Sequence, residues 1–177
     1  MDSKSIEKAC RFCPRCGNEA AAADEGCVPF RCTQCGFANF FGPVAAVGGL
    51  VTNEQGQLLL VRRAREPGKG KWGLPGGFVD RNETIEQALS REVLEETNLS
   101  VSEAKYLTSF PNLYDYAGVI SPVIDLFYLC RVVDPAAIRL LDGELDSFLW
   151  VQPTEQHLNQ MAFPSNRRAI EHWLAAE

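Results

Sequence analysis

The chain has 177 residues, of which 46% are hydrophobic and 23% are charged, so it is long enough for one full domain plus a small appendage. Its net charge of −6 argues against a general nucleic-acid-binding surface. No run approaches the roughly 18 consecutive apolar residues of a membrane span. The polar start Met1–Lys4 is unlike a secretory signal, so we expect a cytoplasmic protein without a membrane partner.

The cysteines are concentrated at the start of the chain, where six of the seven precede residue 36. An odd count without a secretory signal argues against a disulfide framework and favours metal binding. Residues 1–40 also contain too little aliphatic sequence to build a core unaided. We therefore predict that residues 1–40 form a separate unit that a metal stabilises.

Two segments, Cys13–Gly17 and Cys32–Gly36, repeat the pattern Cys-x-x-Cys-Gly, with fifteen residues between the two cysteine pairs. Each would supply two thiolates from a tight turn, and the glycine lets the backbone turn there. This spacing predicts a zinc ribbon with one structural zinc, held by Cys13, Cys16, Cys32 and Cys35. A closed site with four thiolates leaves no open position for catalysis. The remaining cysteines, Cys10, Cys27 and Cys130, are interpreted as spare thiols.

Residues 41–177 have the pattern of an ordinary domain. We predict helices over Glu83–Thr97, with Asn82 as N-cap and Asn98 as left-handed C-terminal residue, and from Pro164 onward. Strands without regular βαβ alternation indicate an α/β fold with a mixed sheet between helices. The predicted strands are Val44–Thr52, Gln57–Arg63, Val101–Phe110, Val123–Val133 and Phe148–Val151.

The helix at Glu83–Thr97 carries three glutamates, Glu92, Glu95 and Glu96, near one azimuth at about 100° per residue. The same stripe holds Ile85 and Leu89, so we predict that the three carboxylates face the core side. Clustered buried carboxylates need cations, and oxygen ligands suit Mg²⁺ or Mn²⁺. The alternative is a solvated acidic face, which the continuity with the apolar stripe disfavours.

The segment Gly77–Leu99 resembles the Nudix box, in which Gly is followed after five residues by Glu and after seven more by Arg-Glu-aliphatic-x-Glu-Glu-x-Gly-aliphatic. Every fixed position matches except the final Gly, which is Asn98. The resemblance implies a Nudix α/β/α sandwich that binds two or more Mg²⁺ or Mn²⁺ ions. It assigns metal ligation to Glu92, Glu95, Glu96 and the carbonyl of Gly76, water activation to Glu92, and a supporting ion pair to Glu83 and Arg91.

A zinc ribbon before a Nudix domain resembles the NADH pyrophosphatase branch of that family. That branch has a further metal-binding Glu six residues before a Trp, which Glu144 and Trp150 match. Its Ser-Gln-Pro-Trp-Pro-Phe-Pro motif is eroded here to Ser109–Asp115. The resemblance therefore implies hydrolysis of NAD(H), ADP-ribose or a similar diphosphate, with AMP as a product, and leaves the exact substrate open.

Three side chains are candidates for substrate binding: Trp72 and Tyr114 by stacking on a base, and Arg62 by reaching phosphate. Each is as readily explained by packing or by a solvated surface role. Two other functions stay open, a regulatory Nudix domain whose ribbon contacts nucleic acid and a nucleoside triphosphate pyrophosphohydrolase. Because every acid of the box is present, we favour catalysis on a small nucleotide diphosphate over nucleic-acid binding. A homodimer is compatible with the sequence.

Overall fold

The computed structural model of the chain describes residues 4–19, 30–140 and 143–176, which divide into two compact units. The first unit comprises the chain up to Val44 together with Leu113–Val123, and the second comprises Ala45–Asn112 and the chain from Ile124 onward. Among the described residues, no helix has the length and apolar character needed to cross a membrane.

The first unit contains short elements: β1 (Lys4–Ser5), α1 (Ile6–Ala9), β2 (Phe30–Arg31) and β3 (Ala38–Asn39). Strands β2 and β3 pair antiparallel. Strand β1 pairs in parallel with Val119–Ile120. Its small core consists of Cys13, Phe30 and Cys32, packed against Phe37 and Phe41.

The remaining elements run along the chain from β4 (Val44–Thr52) to α4 (Pro164–Leu174). In the central sheet β4 lies between β9 and β5, and β10 pairs antiparallel with β5. The elements between β4 and α4 are β5 (Leu58–Arg63), β6 (Trp72–Gly73), β7 (Gly76–Phe78), α2 (Ile85–Thr97), β8 (Val101–Tyr116), β9 (Val119–Val132), a 3₁₀ turn (Pro135–Ala137), β10 (Leu145–Val151) and α3 (Glu155–Leu158).

The sheet of the second unit is covered on both faces, which is visible in the alternation along β5. Leu59 and Val61 pack with the α2 residues Ala88, Leu89 and Val93. Leu58 and Leu60 point the other way and pack with Ala169, Ile170 and Trp173 of α4. Successive strand residues face opposite sides of a sheet, so β5 contributes side chains to both cores. This arrangement is the predicted α/β/α sandwich.

Several predicted element boundaries differ from the structure: β9 begins at Val119 instead of Val123, β10 begins at Leu145 instead of Phe148, and α2 and β8 differ as well. The helix α2 begins at Ile85 instead of Glu83, because Thr84 and Gln87 form a capping box. Asn82 has a φ of +70° and lies in the preceding turn, so its prediction as N-cap is wrong, whereas the left-handed Asn98 is confirmed at φ +61°. Strand β8 continues through Pro111 to Tyr116, because it pairs along β9 as one arm of a long hairpin.

Candidate active site

The carboxylates of Glu92 and Glu96 on α2 face the glycine pair that forms the start of β7. Oε2 of Glu96 accepts a hydrogen bond from the N–H of Gly76 at 2.9 Å, and Glu96 is only 6% exposed. A Cβ placed on Gly77 would lie 2.5 Å from Oε1 of Glu92. The backbone of the Gly76–Gly77 loop therefore packs directly against both acids.

The two glycines are required for different physical reasons. Gly76 pairs with Gly48 across β4 and β7 and has a φ of +147°, a conformation that side chains disfavour. A Cβ at Gly76 would also overlap the carbonyl oxygen of Val47. Gly77 carries no such backbone restriction, and its missing side chain makes room for the Glu92 carboxylate.

Arg91 connects this loop to the helix. Its Nε and Nη2 donate to the two carboxylate oxygens of Glu83 at 3.1 and 2.6 Å, and Nη2 also donates to the carbonyl of Phe78 at 3.1 Å. Its Nη1 donates to Glu92 at 2.8 Å and to Glu95 at 3.2 Å. These bonds raise the pKa of Arg91 and lower the pKa of Glu83. The Glu83–Arg91 pair inferred from the resemblance is thus present as a bidentate ion pair.

Among the glutamates of α2, Glu92 has a pKa that its surroundings raise. Burial raises the pKa of Glu92 above its ordinary value despite the adjacent Arg91, and the charges of Glu95 and Glu144 raise it further. Glu144 is therefore within electrostatic reach of Glu92. Glu95 is 58% exposed and does not share the core-facing stripe, contrary to the sequence-based expectation. The helix turns it toward solvent, where it pairs with Arg91.

Glu144 stands immediately before β10, beside the end of β5. The N–H of Ala64 donates to its carbonyl oxygen at 2.7 Å, and Arg65 Nη1 donates to its carboxylate at 3.1 Å. The side chains of Arg65 and Glu144 are both at least half exposed. The charge of Glu144 is one of the causes that raise the pKa of Glu92, so an acid from a distant part of the sequence acts electrostatically on the helix acids.

The donor set at this site fits divalent cations. It contains carboxylate oxygens and a loop with backbone carbonyls, which are the ligands that Mg²⁺ and Mn²⁺ prefer. Glu92 and Glu96 are poorly solvated acids, and Arg91 is the cation that contacts Glu92. Additional positive charge would offset the cost of their burial.

The candidate substrate-binding side chains fall into two groups. Trp72 and Arg62 are register partners on β6 and β5, and the guanidinium carbon lies 6.0 Å from the ring centroid. Arg62 also donates to Asp146 at 2.6 Å. Tyr114 belongs to the first unit and not to the second. Trp72 packs partly against the α4-side core, which accounts for its position without a ligand.

Two residues near the site were not predicted from the sequence. Asn166 of α4 is 9% exposed, and its Oδ1 accepts from the N–H of Leu74 at 3.1 Å, which anchors the segment before Gly76. Its signal is a polar residue on the apolar side of the predicted last helix. Arg65, which contacts Glu144, gives no sequence signal that separates it from Arg62 and Arg63.

The predicted zinc ligands lie together in the first unit. The Sγ atoms of Cys13, Cys16, Cys32 and Cys35 are all within 4.8 Å of one another. The closest separations are 3.7 Å (Cys13–Cys35) and 3.6 Å (Cys16–Cys32). A tetrahedral site with Zn–S bonds of 2.3 Å has sulfurs roughly 3.8 Å apart, so the cluster fits zinc.

The two knuckles have the same backbone geometry, which explains why they converge. In each, the glycine N–H donates to the carbonyl of the first cysteine, and the glycine φ is +73° at Gly17 and +71° at Gly36. The backbone N–H of Cys35 is the main cause that lowers the pKa of Cys32 to about 7. By contrast, despite a backbone hydrogen bond from Asn18, burial and hydrogen bonds to the other three cysteines raise the pKa of Cys16 to about 12. The shared turn geometry, and not a common pKa shift, therefore accounts for the convergence of the sulfurs.

Outside the cluster, the structure describes two further cysteines, Cys10 and Cys130, which have separate environments. Cys10 is outside the four-sulfur cluster. Cys130 is fully buried in the α2-side core, and burial raises the pKa of its thiol to about 12. Cys27 lies outside the described residues.

Comparison with known proteins identifies the family. The profile of the NUDIX domain matches residues 42–173. The chain belongs to the Nudix family. A NAD-capped RNA hydrolase NudC of Haemophilus influenzae is 33% identical over 146 residues, covering 81% of this chain and 52% of that protein. An ADP-ribose pyrophosphatase of Methanocaldococcus jannaschii is 43% identical over 60 residues, covering 34% of this chain and 35% of that protein.

The solved structures agree with this family. A NUDIX hydrolase from Nitrosomonas europaea aligns with a TM-score of 0.66 and 25% identity, covering 93% of this chain and 90% of that one. The predicted Nudix fold is thereby confirmed. The chain spans about half the length of the NAD-capped RNA hydrolases that it matches, so their activity is not transferred to it directly.

Proposed function

We propose that this Nudix chain hydrolyses the pyrophosphate bond of a nucleoside diphosphate derivative, such as NAD(H), ADP-ribose or a similar dinucleotide, and releases AMP. The observation that carries the proposal is the packing of the poorly solvated Glu92 and Glu96 carboxylates against the Gly76–Gly77 loop. An acidic cluster of this kind is destabilising unless cations join it. A diphosphate group would bind the same cations through its phosphate oxygens, so it is the kind of substrate that fits this site.

Within this proposal, the Mg²⁺ or Mn²⁺ ions are held by Glu92, Glu95, Glu96, Glu144 and the carbonyl of Gly76. Such metals neutralise a diphosphate and lower the pKa of a bound water, so that hydrolysis proceeds near neutral pH. Burial raises the pKa of Glu92, which is the direction required of a carboxylate that would accept a proton from the attacking water.

Arg91 and Glu83 act in the proposal by holding these groups in place. The guanidinium bonds to Glu83, Glu92 and the Phe78 carbonyl at once, so it fixes the loop and the helix in one geometry. A fixed geometry matters because transition-state stabilisation depends on groups that need no rearrangement. Trp72 and Arg62 remain candidates for contacts with a base or a phosphate.

The names of two relatives support the substrate class. One is named for NAD-capped RNA and the other for ADP-ribose, and both compounds contain a diphosphate attached to adenosine. Of the alternatives, a purely regulatory Nudix domain is disfavoured because all acids of the box are retained. Binding of RNA beyond a cap nucleotide is left to the experiment below.

For the first unit, we propose one structural zinc bound by Cys13, Cys16, Cys32 and Cys35. The sulfur separations of 3.6 and 3.7 Å support it. Four thiolates close the coordination sphere, so this zinc stabilises the unit and takes no part in the reaction.

The test is a product screen with Mg²⁺ or Mn²⁺ over NADH, NAD⁺, ADP-ribose, a NAD-capped RNA and nucleoside triphosphates. We expect AMP, or the 5′-phosphorylated RNA, from the diphosphate compounds and no activity in EDTA. Glu96→Gln should reduce turnover at least about a hundredfold. The matched control is Glu103→Gln on β8, whose side chain is 70% exposed and which should keep full activity. Full activity in Glu96→Gln would refute the assignment.

A further inference from the structure

The ion pair between Arg65 and Glu144 lies outside the Nudix box and joins two surface segments. Strands β5 and β10 pair antiparallel with Leu145 opposite Arg63, so the residues beyond this pair emerge side by side. The N–H of Ala64 extends the ladder by donating to the carbonyl of Glu144. This bond fixes the backbone of Glu144, but it leaves the side chain to be held by other contacts.

Arg65 provides such a contact, with Nη1 at 3.1 Å from Oε1 of Glu144. The guanidinium also lies over the neighbouring Gly143. A Cβ added to this glycine would be 3.9 Å from Nη2 of Arg65. Gly143 has a φ of +73°, so the chain turns sharply just before Glu144. The arginine thus spans the turn from which the acid projects.

This pair has little value for stability by itself. The side chain of Arg65 is 59% exposed and that of Glu144 is 50% exposed. Exposed ion pairs stabilise a fold little, because water screens them and two long side chains lose rotamer freedom. The place of Glu144 at the end of the β5–β10 ladder is the more informative property, because from there its charge acts on Glu92.

We propose that Arg65 is a positioning residue that holds the Glu144 carboxylate for divalent-metal binding, an inference that rests on the metal-dependent function proposed above. Glu144 comes from a loop, whereas Glu92, Glu95 and Glu96 are fixed on a helix. A loop carboxylate loses more conformational entropy when it binds a metal. Holding it in advance lowers that cost, which is what a partner beyond the ligands does at metal sites.

Removal of Arg65 changes the affinity for divalent cations in opposite directions depending on whether Arg65 positions Glu144 or acts only through its positive charge. If Arg65 acted only as a positive charge, its removal would strengthen cation binding because a repulsion would be lost. If Arg65 positions Glu144, its removal weakens binding. We therefore expect Arg65→Ala to bind Mn²⁺ about tenfold more weakly, within the range known for such partners.

The experiment titrates the full chain with Mn²⁺ alone and follows the free ion by EPR, so no substrate or turnover is needed. Arg65→Lys, which keeps the charge and one donor, should recover part of the affinity. The matched control is Arg131→Ala, which removes an exposed arginine paired with Glu103 at 3.8 Å and should bind Mn²⁺ as the wild type does. The Tm of each variant should stay near that of the wild type.

A double-mutant cycle tests whether Arg65 acts through Glu144. In the Glu144→Gln background, Arg65→Ala should cause no further loss of Mn²⁺ affinity, because the group that it positions is gone. Equal or tighter Mn²⁺ binding by Arg65→Ala, or independent effects of the two changes, would overturn the proposal. If the expected Mn²⁺ results occur in a chain that hydrolyses no diphosphate, the proposed function fails and the role of Arg65 stands.

Discussion

At the residue scale, the buried Glu96 and the partly buried Glu92 of α2 differ in how their charge is compensated. Glu96 accepts the N–H of Gly76, whereas Glu92 contacts the shared guanidinium of Arg91. Arg91 also pairs with Glu83, with Glu95 and, at 3.9 Å, with Asp80, so its charge is divided among four carboxylates. Burial consequently dominates at Glu92 and raises its pKa.

The raised pKa of Glu92 predicts a pH-dependent stability difference when metals are removed. A carboxyl with a raised folded-state pKa stabilises the fold while protonated, and this contribution is lost as pH rises through that pKa. Gln resembles the protonated form. In EDTA, Glu92→Gln should therefore have a higher Tm than the wild type at neutral pH. The gap should close as pH falls toward the ordinary Glu value of 4.5.

Thermal unfolding of both proteins from neutral to acid pH would measure this gap. Glu103→Gln serves as the control for loss of an exposed charge and should show no such pH dependence. A wild type that is more stable than Glu92→Gln at neutral pH in EDTA would contradict the electrostatic description of Glu92.

The two glycines predict different outcomes for the same substitution. In Gly77→Ala the new Cβ would lie 2.5 Å from Glu92 Oε1, so the carboxylate must move and turnover should fall at least about tenfold. Gly76→Ala would overlap the Val47 carbonyl and should lower the Tm strongly instead. Parallel measurement of kcat and Tm distinguishes them. An active Gly77→Ala enzyme would show that Glu92 tolerates displacement.

How far the sequence predicted these residues depended on their spacing. Because Glu83, Arg91, Glu92 and Glu96 occupy fixed positions within one box, the Glu83–Arg91 pair could be anticipated. The outward direction of Glu95 could not, since a helical wheel places it within about 60° of Glu92 and does not show where the burial boundary falls. Arg65 could not be found either, because its contact depends on the pairing of β5 with β10.

At the element scale, α4 supports the site from the opposite face of the sheet. Its Asn166 accepts the N–H of Leu74, two residues before Gly76, and both Asn166 and Leu74 are buried. The apolar face of the helix meanwhile packs Ala169, Ile170 and Trp173 into the core. The position of the glycine loop therefore depends on a helix that carries none of the predicted metal ligands.

This contact predicts a cost for Asn166→Ala. The substitution leaves the buried N–H of Leu74 without its acceptor, which should destabilise the chain by about 1–3 kcal/mol and also reduce kcat. Urea unfolding measures the first effect. The matched control is Asn159→Ala, which removes an exposed hydrogen bond to Arg167 and should cost less than about 1 kcal/mol. Equal losses in the two variants would contradict the anchoring role of Asn166.

Local chemistry accounts for which element boundaries were predictable. Val44–Thr52 and the helix start at Pro164 follow from strong local signals and are confirmed. The start of α2 was misplaced because Asn82 and Thr84 are both favourable N-caps, and the Gln87 side chain that selects Thr84 acts only once the turn has formed. The full length of β8 depends on its partner β9, which a single strand does not reveal.

At the scale of the whole molecule, the two compact units use different sources of stability. The second has two apolar cores on either side of a sheet. The first has a small core in which Cys13 and Cys32 themselves are members. Since its core is built on the predicted zinc ligands, we expect the first unit to depend on the metal, as small domains with little apolar burial generally do.

Freshly purified protein should therefore contain about one zinc per chain. Cys13→Ser should lose that zinc and destabilise the first unit, while Cys10→Ser, which changes a thiol outside the cluster, should retain it. Elemental analysis and thermal unfolding provide the measurements. Absence of zinc from the wild type, or full retention by Cys13→Ser, would contradict the ribbon.

The substrate class is the broadest prediction, and it is motivated by the ribbon and by Glu144 six residues before Trp150. A diphosphate inside a dinucleotide offers two adjacent phosphates to the metals and leaves a phosphorylated fragment on each side of the cut. We therefore expect higher kcat/KM for NADH, NAD⁺ or ADP-ribose than for nucleoside triphosphates. The eroded segment Ser109–Asp115 should weaken or alter any preference for NADH.

Glu144 links this substrate preference to the chemistry of the site. Its carboxylate lies within electrostatic reach of Glu92, so Glu144→Gln should reduce kcat much more than it raises KM, as expected for a group that acts mainly in the transition state. Steady-state kinetics on ADP-ribose with Mn²⁺ measure both constants. A change confined to KM would assign Glu144 to substrate binding. Faster turnover of triphosphates with release of pyrophosphate would overturn the substrate class, and membership of the Nudix family would be unaffected.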